Sequence, residues 1–236
     1  SIKFASPKSA DSHLSRSRLL EQMADADAAR LILIRAAAGF GKTTLMQQYR
    51  EHCLASGKRA LWINLEPADN DLQRFVNLLD KGLGLLPVSA RQSERNDPPC
   101  AEDLLQLMVS SPLPFAVLLD EVEVIQNPEV LEFLQQLVEQ LPSGSVLVMA
   151  SRSTPGIGLG RIRARGQLLE IRPQDLRFTL EESMAFIRGK RQIPLHDDEL
   201  ATLYRRTEGW IAGLYLASLS LKDRDDHGAF ISSFSG

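Results

Sequence analysis

Residues 31–44 read Leu-Ile-Leu-Ile-Arg-Ala-Ala-Ala-Gly-Phe-Gly-Lys-Thr-Thr, and no other segment of the chain restricts its fold as much. The unbroken apolar run Leu31 to Ile34 suits a short strand buried on both faces. The next residues fit A/G-x-x-x-x-G-K-T, from Ala36 to Thr43. Glycines at 39 and 41 let backbone N–H groups turn inward around an anion. A helix expected over 42–54 sets the positive end of its dipole at the same point. In that pattern Lys42 is the point charge for the β- and γ-phosphates, and the Thr43 hydroxyl is a Mg²⁺ ligand. The nucleotide-binding segment is therefore expected to comprise Ala36, Ala37, Ala38, Gly39, Phe40, Gly41, Lys42, Thr43 and Thr44.

Apolar runs of strand length recur at 60–65, 115–119, 145–150 and, more weakly, 167–171. Helical patterns are expected at 16–28, 72–83, 101–109 and 128–140, with a polar, proline-containing loop at 87–100. Strands alternating with helices predict an α/β fold of the P-loop NTPase type, a five-stranded, mainly parallel sheet with helices on both faces. The texture changes near 172–178. Thr179-x-x-Glu182 is a capping box for a helix to about 190, and further helices are expected at 197–206 and 209–221. Two domains are expected, a nucleotide-binding domain over 1–172 and a small, truncated all-helical, lid-like domain over 173–236. Ser1 in place of Met, and the ending Phe234-Ser235-Gly236, suggest a fragment.

The strand expected at 115–119 runs into Asp120-Glu121. Two acids at the end of a buried parallel strand need a reason. Beside a phosphate loop, Asp120 serves as the Mg²⁺ carboxylate, and Glu121 orients or deprotonates the attacking water. The fourth strand ends at Ser151-Arg152, where Arg152 is placed to sense a γ-phosphate. Glu121, Lys42 and Arg152 are thus the candidate catalytic residues, and Thr43 with Asp120 the metal ligands.

Composition narrows the partners. The formal net charge is −3, so bulk electrostatics give no reason to expect nucleic acid. From Arg152 to Arg191 there are eight arginines and one lysine against four acids, a solvated or inter-domain face unless aromatic residues interleave. The alternation Arg161-x-Arg163-x-Arg165 would line one side of an extended segment. Asp69-Asn70-Asp71 resembles part of a calcium loop but lacks its glycine and glutamate, and is expected to cap a helix. Trp210 is either core packing or a wall of the base pocket. The two cysteines, Cys53 and Cys100, show no zinc spacing and suit free, buried thiols in a reducing cytosol. No apolar run approaches the roughly 20 residues that span a bilayer.

The chain resembles the N-terminal ATPase region of MalT-like regulators, the large ATP-binding members of the LuxR group, within the STAND class of P-loop ATPases. The matching stretches are 30–44 (RLILIRAAAGFGKTT), 60–75 (ALWINLEPADNDLQRF), 117–128 (VLLDEVEVIQNP), 146–155 (VLVMASRSTP), 166–178 (GQLLEIRPQDLRF) and 207–221 (TEGWIAGLYLASLSL). The resemblance implies the roles given above for the loop, Asp120, Glu121 and Arg152. It also implies that Leu14-Ser15-Arg16 leans on the adenine and that Gly209-Trp210-Ile211 starts a helix near the base. It further implies a cytoplasmic ATP/ADP switch with Mg²⁺, resting with ADP, self-associating with ATP and reset by slow hydrolysis. An inducer and DNA would be bound through domains outside this chain, with no membrane partner. The alternatives are a P-loop small-molecule kinase and a nucleic-acid-stimulated ATPase.

Overall fold

The computed structural model describes residues 2–7, 13–86, 99–222 and 227–234. Helix α1 (Ser17–Ala24) precedes strand β1 (Leu31–Arg35). Then come α2 (Lys42–Ala55), β2 (Arg59–Asn64), α3 (Leu72–Gly84), α4 (Ala101–Val109), β3 (Phe115–Asp120), α5 (Pro128–Gln140), β4 (Val146–Ser151), α6 (Leu159–Ala164) and β5 (Leu168–Ile171). The loop expected at 87–100 lies outside the described residues except for 99 and 100.

The strands form one five-stranded sheet ordered β2-β3-β4-β1-β5. Every adjoining pair is parallel, as crossovers through helices require. The two-residue side-chain period divides the core. Leu31 and Leu33 of β1 join one cluster with Phe75 and Leu79 of α3, Leu104 of α4 and Leu134 of α5. Ile32 and Ile34 join the opposite cluster with Leu45, Met46 and Tyr49 of α2 and Leu19 and Met23 of α1. Each fully buried aliphatic side chain is worth about 1.5–3 kcal/mol, so neither face tolerates a one-residue register slip. The chain leaves β1 for the far edge and returns through β3 and β4. The carboxyl ends of β1, β3 and β4 therefore open on one rim, where open parallel sheets bind ligands.

Past the sheet come α7 (Pro173–Leu176), α8 (Leu180–Met184), α9 (Asp197–Thr207), α10 (Ile211–Lys222) and α11 (His227–Ser233). The capping box forms as expected. Thr179 Oγ1 accepts from the Glu182 N–H (3.1 Å), and the Glu182 carboxylate accepts from the Thr179 N–H (2.9 Å). The helix beyond it widens to i→i+5 hydrogen bonding over Ala185–Lys190, which periodicity alone does not register. Phe178, Phe186, Ile187, Leu200, Leu203, Leu214 and Ile231 form a third core.

The triplet Asp69-Asn70-Asp71 is engaged within the fold. Buried Asp69 pairs with Lys3 (2.5 Å), the Asn70 side-chain oxygen accepts from the Gln126 and Asn127 amides (2.8 and 2.7 Å), and Asp71 caps α3. The arginine alternation is helical rather than extended, with Arg161 and Arg163 in α6 and Arg165 as its C-cap. Arg161 and Arg165 pair with Glu139 (3.4 and 3.9 Å), while Arg163 and Arg172 pair with Glu170 (3.0 and 2.8 Å). Cys53 is buried, whereas Cys100 is exposed and caps α4, accepting from the Asp103 N–H (3.4 Å). No helix among the described residues is long and apolar enough to cross a membrane.

Candidate functional site

The loop from Ala36 to Gly41 turns between β1 and α2 with Gly39 at φ 79° and Gly41 at φ 77°, the left-handed region that a side chain disfavours. Space at these glycines is taken as well. A Cβ at Gly39 would stand 2.8 Å from the Ala212 Cβ, and one at Gly41 2.9 Å from the Ile211 Cδ1. The start of α10 therefore sits directly on the loop, and the Ala212 N–H donates to the Gly39 carbonyl (3.1 Å). Lys42 donates from Nζ to the Ala36 and Ala37 carbonyls (2.8 and 3.0 Å), so its ammonium is folded over the loop. Burial pushes its pKa down, while Glu123 leads the acids that oppose that shift.

Across the rim the Thr43 hydroxyl donates to Asp120 Oδ2 (2.8 Å), and Asp120 Oδ1 accepts from the Glu121 N–H (3.0 Å). Burial raises the Asp120 pKa, against the lowering effect of these two hydrogen bonds. A hydroxyl and a carboxylate side by side form the hard-oxygen set that suits Mg²⁺. Glu121 adopts φ 59°, ψ 41°, an uncommon backbone for a non-glycine residue and the kind of local strain that clusters at functional sites. That turn swings Glu123 back towards β4, where it grips Arg152. Glu123 Oε2 accepts from the Arg152 backbone N–H (3.1 Å), and Glu123 Oε1 lies 2.9 Å from Arg152 Nε. Arg152 Nη2 is 3.9 Å from Glu121 Oε1.

Ala38, Gly39, Gly41, Lys42, Thr43, Asp120, Glu121, Glu123 and Arg152 line one hollow of about 200 Å³. A second hollow of about 450 Å³ shares Gly39 and Gly41. Its walls are mainly apolar and include Leu14, Phe178, Phe186 and Ile211, with Thr44, Arg16 and Tyr215. A polar hollow joined to an apolar one through a glycine loop matches a ligand with an anionic tail and a flat base.

Arg16 and Trp210, the two residues considered for the base, lie on different sides of the second hollow's wall. Arg16 is buried and borders the second hollow, yet its guanidinium is committed elsewhere. It donates to the Leu176 and Arg177 carbonyls (2.9 and 3.3 Å), pairs with Glu182 (3.2 Å) and lies over the Phe178 ring (4.8 Å). Trp210 packs outside the hollow, against Gly39 and against Phe40 at 6.5 Å between rings. Its buried Nε1–H has no hydrogen-bond partner among the described residues. Gly209 (φ 73°) fixes this placement, because a Cβ there would meet the Phe178 carbonyl oxygen at 2.2 Å. Sequence reasoning missed Glu123 and the aromatic walls Phe178 and Phe186. The signal for Glu123 was the third acid in Asp-Glu-Val-Glu, which reads as a solvent-facing acid unless the turn at 121 is known.

A family model described as AAA domain matches residues 20–154, more than half of the chain. The chain belongs to the AAA domain family. This AAA chain is 29% identical over 240 residues to the HTH-type transcriptional regulator MalT of two Klebsiella pneumoniae strains. The match covers 94% of this chain and 25% of each relative, so the chain spans about a quarter of the length of the curated relatives it matches. It is a MalT-like P-loop ATPase region. Domain III of the Thermotoga maritima replication initiation protein DnaA superposes with a TM-score of 0.54 at 15% identity, covering 95% of this chain and 96% of that one. AMPPCP-bound DnaA from Aquifex aeolicus gives 0.52 at 16%, covering 89% and 62%. At these identities the likeness shows the fold, that of an AAA-type ATPase domain.

Proposed function

We propose that this AAA domain is an ATP-binding, slowly hydrolysing switch module of a cytoplasmic LuxR-group transcription regulator of the STAND class. In this reading its ATP or ADP state controls self-association, while DNA and an inducer are bound elsewhere in the longer protein. The observation that carries the proposal is the meeting of Lys42, the Thr43–Asp120 pair, Glu121 and Arg152 in one hollow on the rim of the sheet. The likeness to MalT over 94% of the chain supports the regulatory part.

Amides of the loop from Ala37 to Thr43 wrap the phosphates, aided by the dipole of α2. Thr43 and Asp120 would hold Mg²⁺, which when bound would offset phosphate charge. Lys42 and Arg152 neutralise charge on the γ-phosphate, and Glu121 orients the attacking water and takes its proton. Arg16, through its bonds to the Leu176 and Arg177 carbonyls, holds the wall against which the base rests. Trp210 buttresses the loop from outside. The change of core between Leu176 and Phe178 supports a division within 172–178, between the sheet-bearing part and the helical part. Because the start of α10 rests on Gly39, a change in the loop shifts the helical part, and that contact is the route from nucleotide to association.

Sedimentation velocity tests this switch. With Mg²⁺ and AMPPCP the chain is expected to sediment as a larger species than with Mg²⁺ and ADP. Identical boundaries in both states, across a wide range of protein concentration, would refute nucleotide-controlled association.

A further inference from the structure

Glu123 is the acid in the hollow to which the proposed mechanism gives no task. It is mostly buried, with 21% of its side chain exposed, whereas Arg152 and Glu121 are 59% and 57% exposed. Both of its oxygens are spent on one residue, Oε2 on the Arg152 backbone amide and Oε1 on Nε. Every ion-pair partner of Arg152 among the described residues is an acid of this same hollow, Glu123 closely and Glu121 at the limit of contact. The lining carries Lys42 and Arg152 against Asp120, Glu121 and Glu123, so it holds one more carboxylate than cation. A site for a triphosphate gains nothing in affinity from that extra acid. An excess carboxylate raises the cost of bringing in another anion, and the cost grows with the charge that reaches it.

From this geometry we infer that Glu123 sets nucleotide preference. It latches Arg152 and so biases the site towards the nucleoside diphosphate over the triphosphate. The inference rests on the nucleotide reading above. A γ-phosphate has to draw the guanidinium off a carboxylate that already holds it. A diphosphate does not reach that far and leaves the latch closed. Releasing Arg152 and removing the carboxylate's own field act in the same direction, so the sign of the effect of removing Glu123 is defined. The exchange is also local. Arg152 keeps its place at the end of β4 and trades one anion for another.

The experiment measures Mg²⁺-dependent affinity for ADP and for non-hydrolysable AMPPCP in four proteins: wild type, Glu123→Gln, Arg152→Ala and the double variant. Glutamine keeps the acceptor for the Arg152 amide but removes the charge. Glu123→Gln is expected to raise AMPPCP affinity relative to ADP roughly three- to fivefold, the upper part of the range for a partly exposed ion pair. In the Arg152→Ala background the same change is expected to move that ratio less than about twofold, because the latched group is gone. An equal rise in both backgrounds would reduce Glu123 to a field effect and overturn the latch. An unchanged ratio in Glu123→Gln would overturn the preference altogether. Glu123→Ala, checked by thermal melting, repeats the measurement should the glutamine variant fold poorly. Wild type that binds neither nucleotide would sink the nucleotide reading itself, an outcome distinct from wild type that binds both while the variants leave their ratio untouched.

Discussion

Replacing Lys42 with alanine is expected to lower affinity for Mg²⁺-ADP by at least about 100-fold, a loss of about 2.7 kcal/mol or more. The ammonium stands at the mouth of the loop, held by the Ala36 and Ala37 carbonyls rather than by an acid. Its donors are held by neutral carbonyls, and a phosphate takes up the same donors through stronger, charge-assisted hydrogen bonds. Removing it deletes these bonds and leaves Asp120, Glu121 and Glu123 facing the phosphates with Arg152 as the remaining cation of the lining. The fold should tolerate the change, since the side chain is only half-buried and Ala37 is exposed to water. Calorimetric titration of both proteins measures the loss, with unchanged thermal unfolding as the control. Affinity within a few-fold of wild type would remove Lys42 from the site.

Glu121→Gln should slow ATP turnover by roughly 10²–10³-fold, within the usual contribution of a positioned general base, and leave Mg²⁺-ADP affinity within about twofold. The separation follows from position. Asp120, not Glu121, accepts the Thr43 hydroxyl, so the metal pair survives the change. The Glu121 amide still donates to Asp120, because that bond uses the backbone. Glutamine cannot take a proton from water, yet it fills the same left-handed turn. Single-turnover hydrolysis beside equilibrium binding checks both halves. Equal turnover in the two proteins would show that some other group activates the water.

The sheet and the phosphate loop are legible in the sequence because their causes are local. Four apolar residues in a row, two glycines, Lys42 and Thr43 occupy one 14-residue stretch, and the strand ending in Asp120 has the same short-range logic. The base side is harder to read because its causes are distant. Arg16 is held by carbonyls of Leu176 and Arg177, 160 and 161 residues away, so nothing near it reports that its guanidinium is already engaged. Trp210 follows the same rule. Gly209 and the Phe178 carbonyl turn it onto Gly39, outside the second hollow. The arginines at 161, 163 and 165 show the limit of short patterns, since alternation over five residues fits a strand while the chain there forms a helix that serves Glu139 and Glu170. Glu123 escapes notice because one uncommon backbone angle at Glu121 decides where it points.

A crystal structure of the chain with Mg²⁺ and ADP locates the nucleotide. The prediction is phosphate density enclosed by the amides of residues 37–43, metal density beside the Thr43 and Asp120 oxygens, and the adenine among Leu14, Phe178 and Ile211. Well-ordered ADP bound anywhere else, or a loop unchanged at saturating ADP with no nucleotide in either hollow, would contradict it.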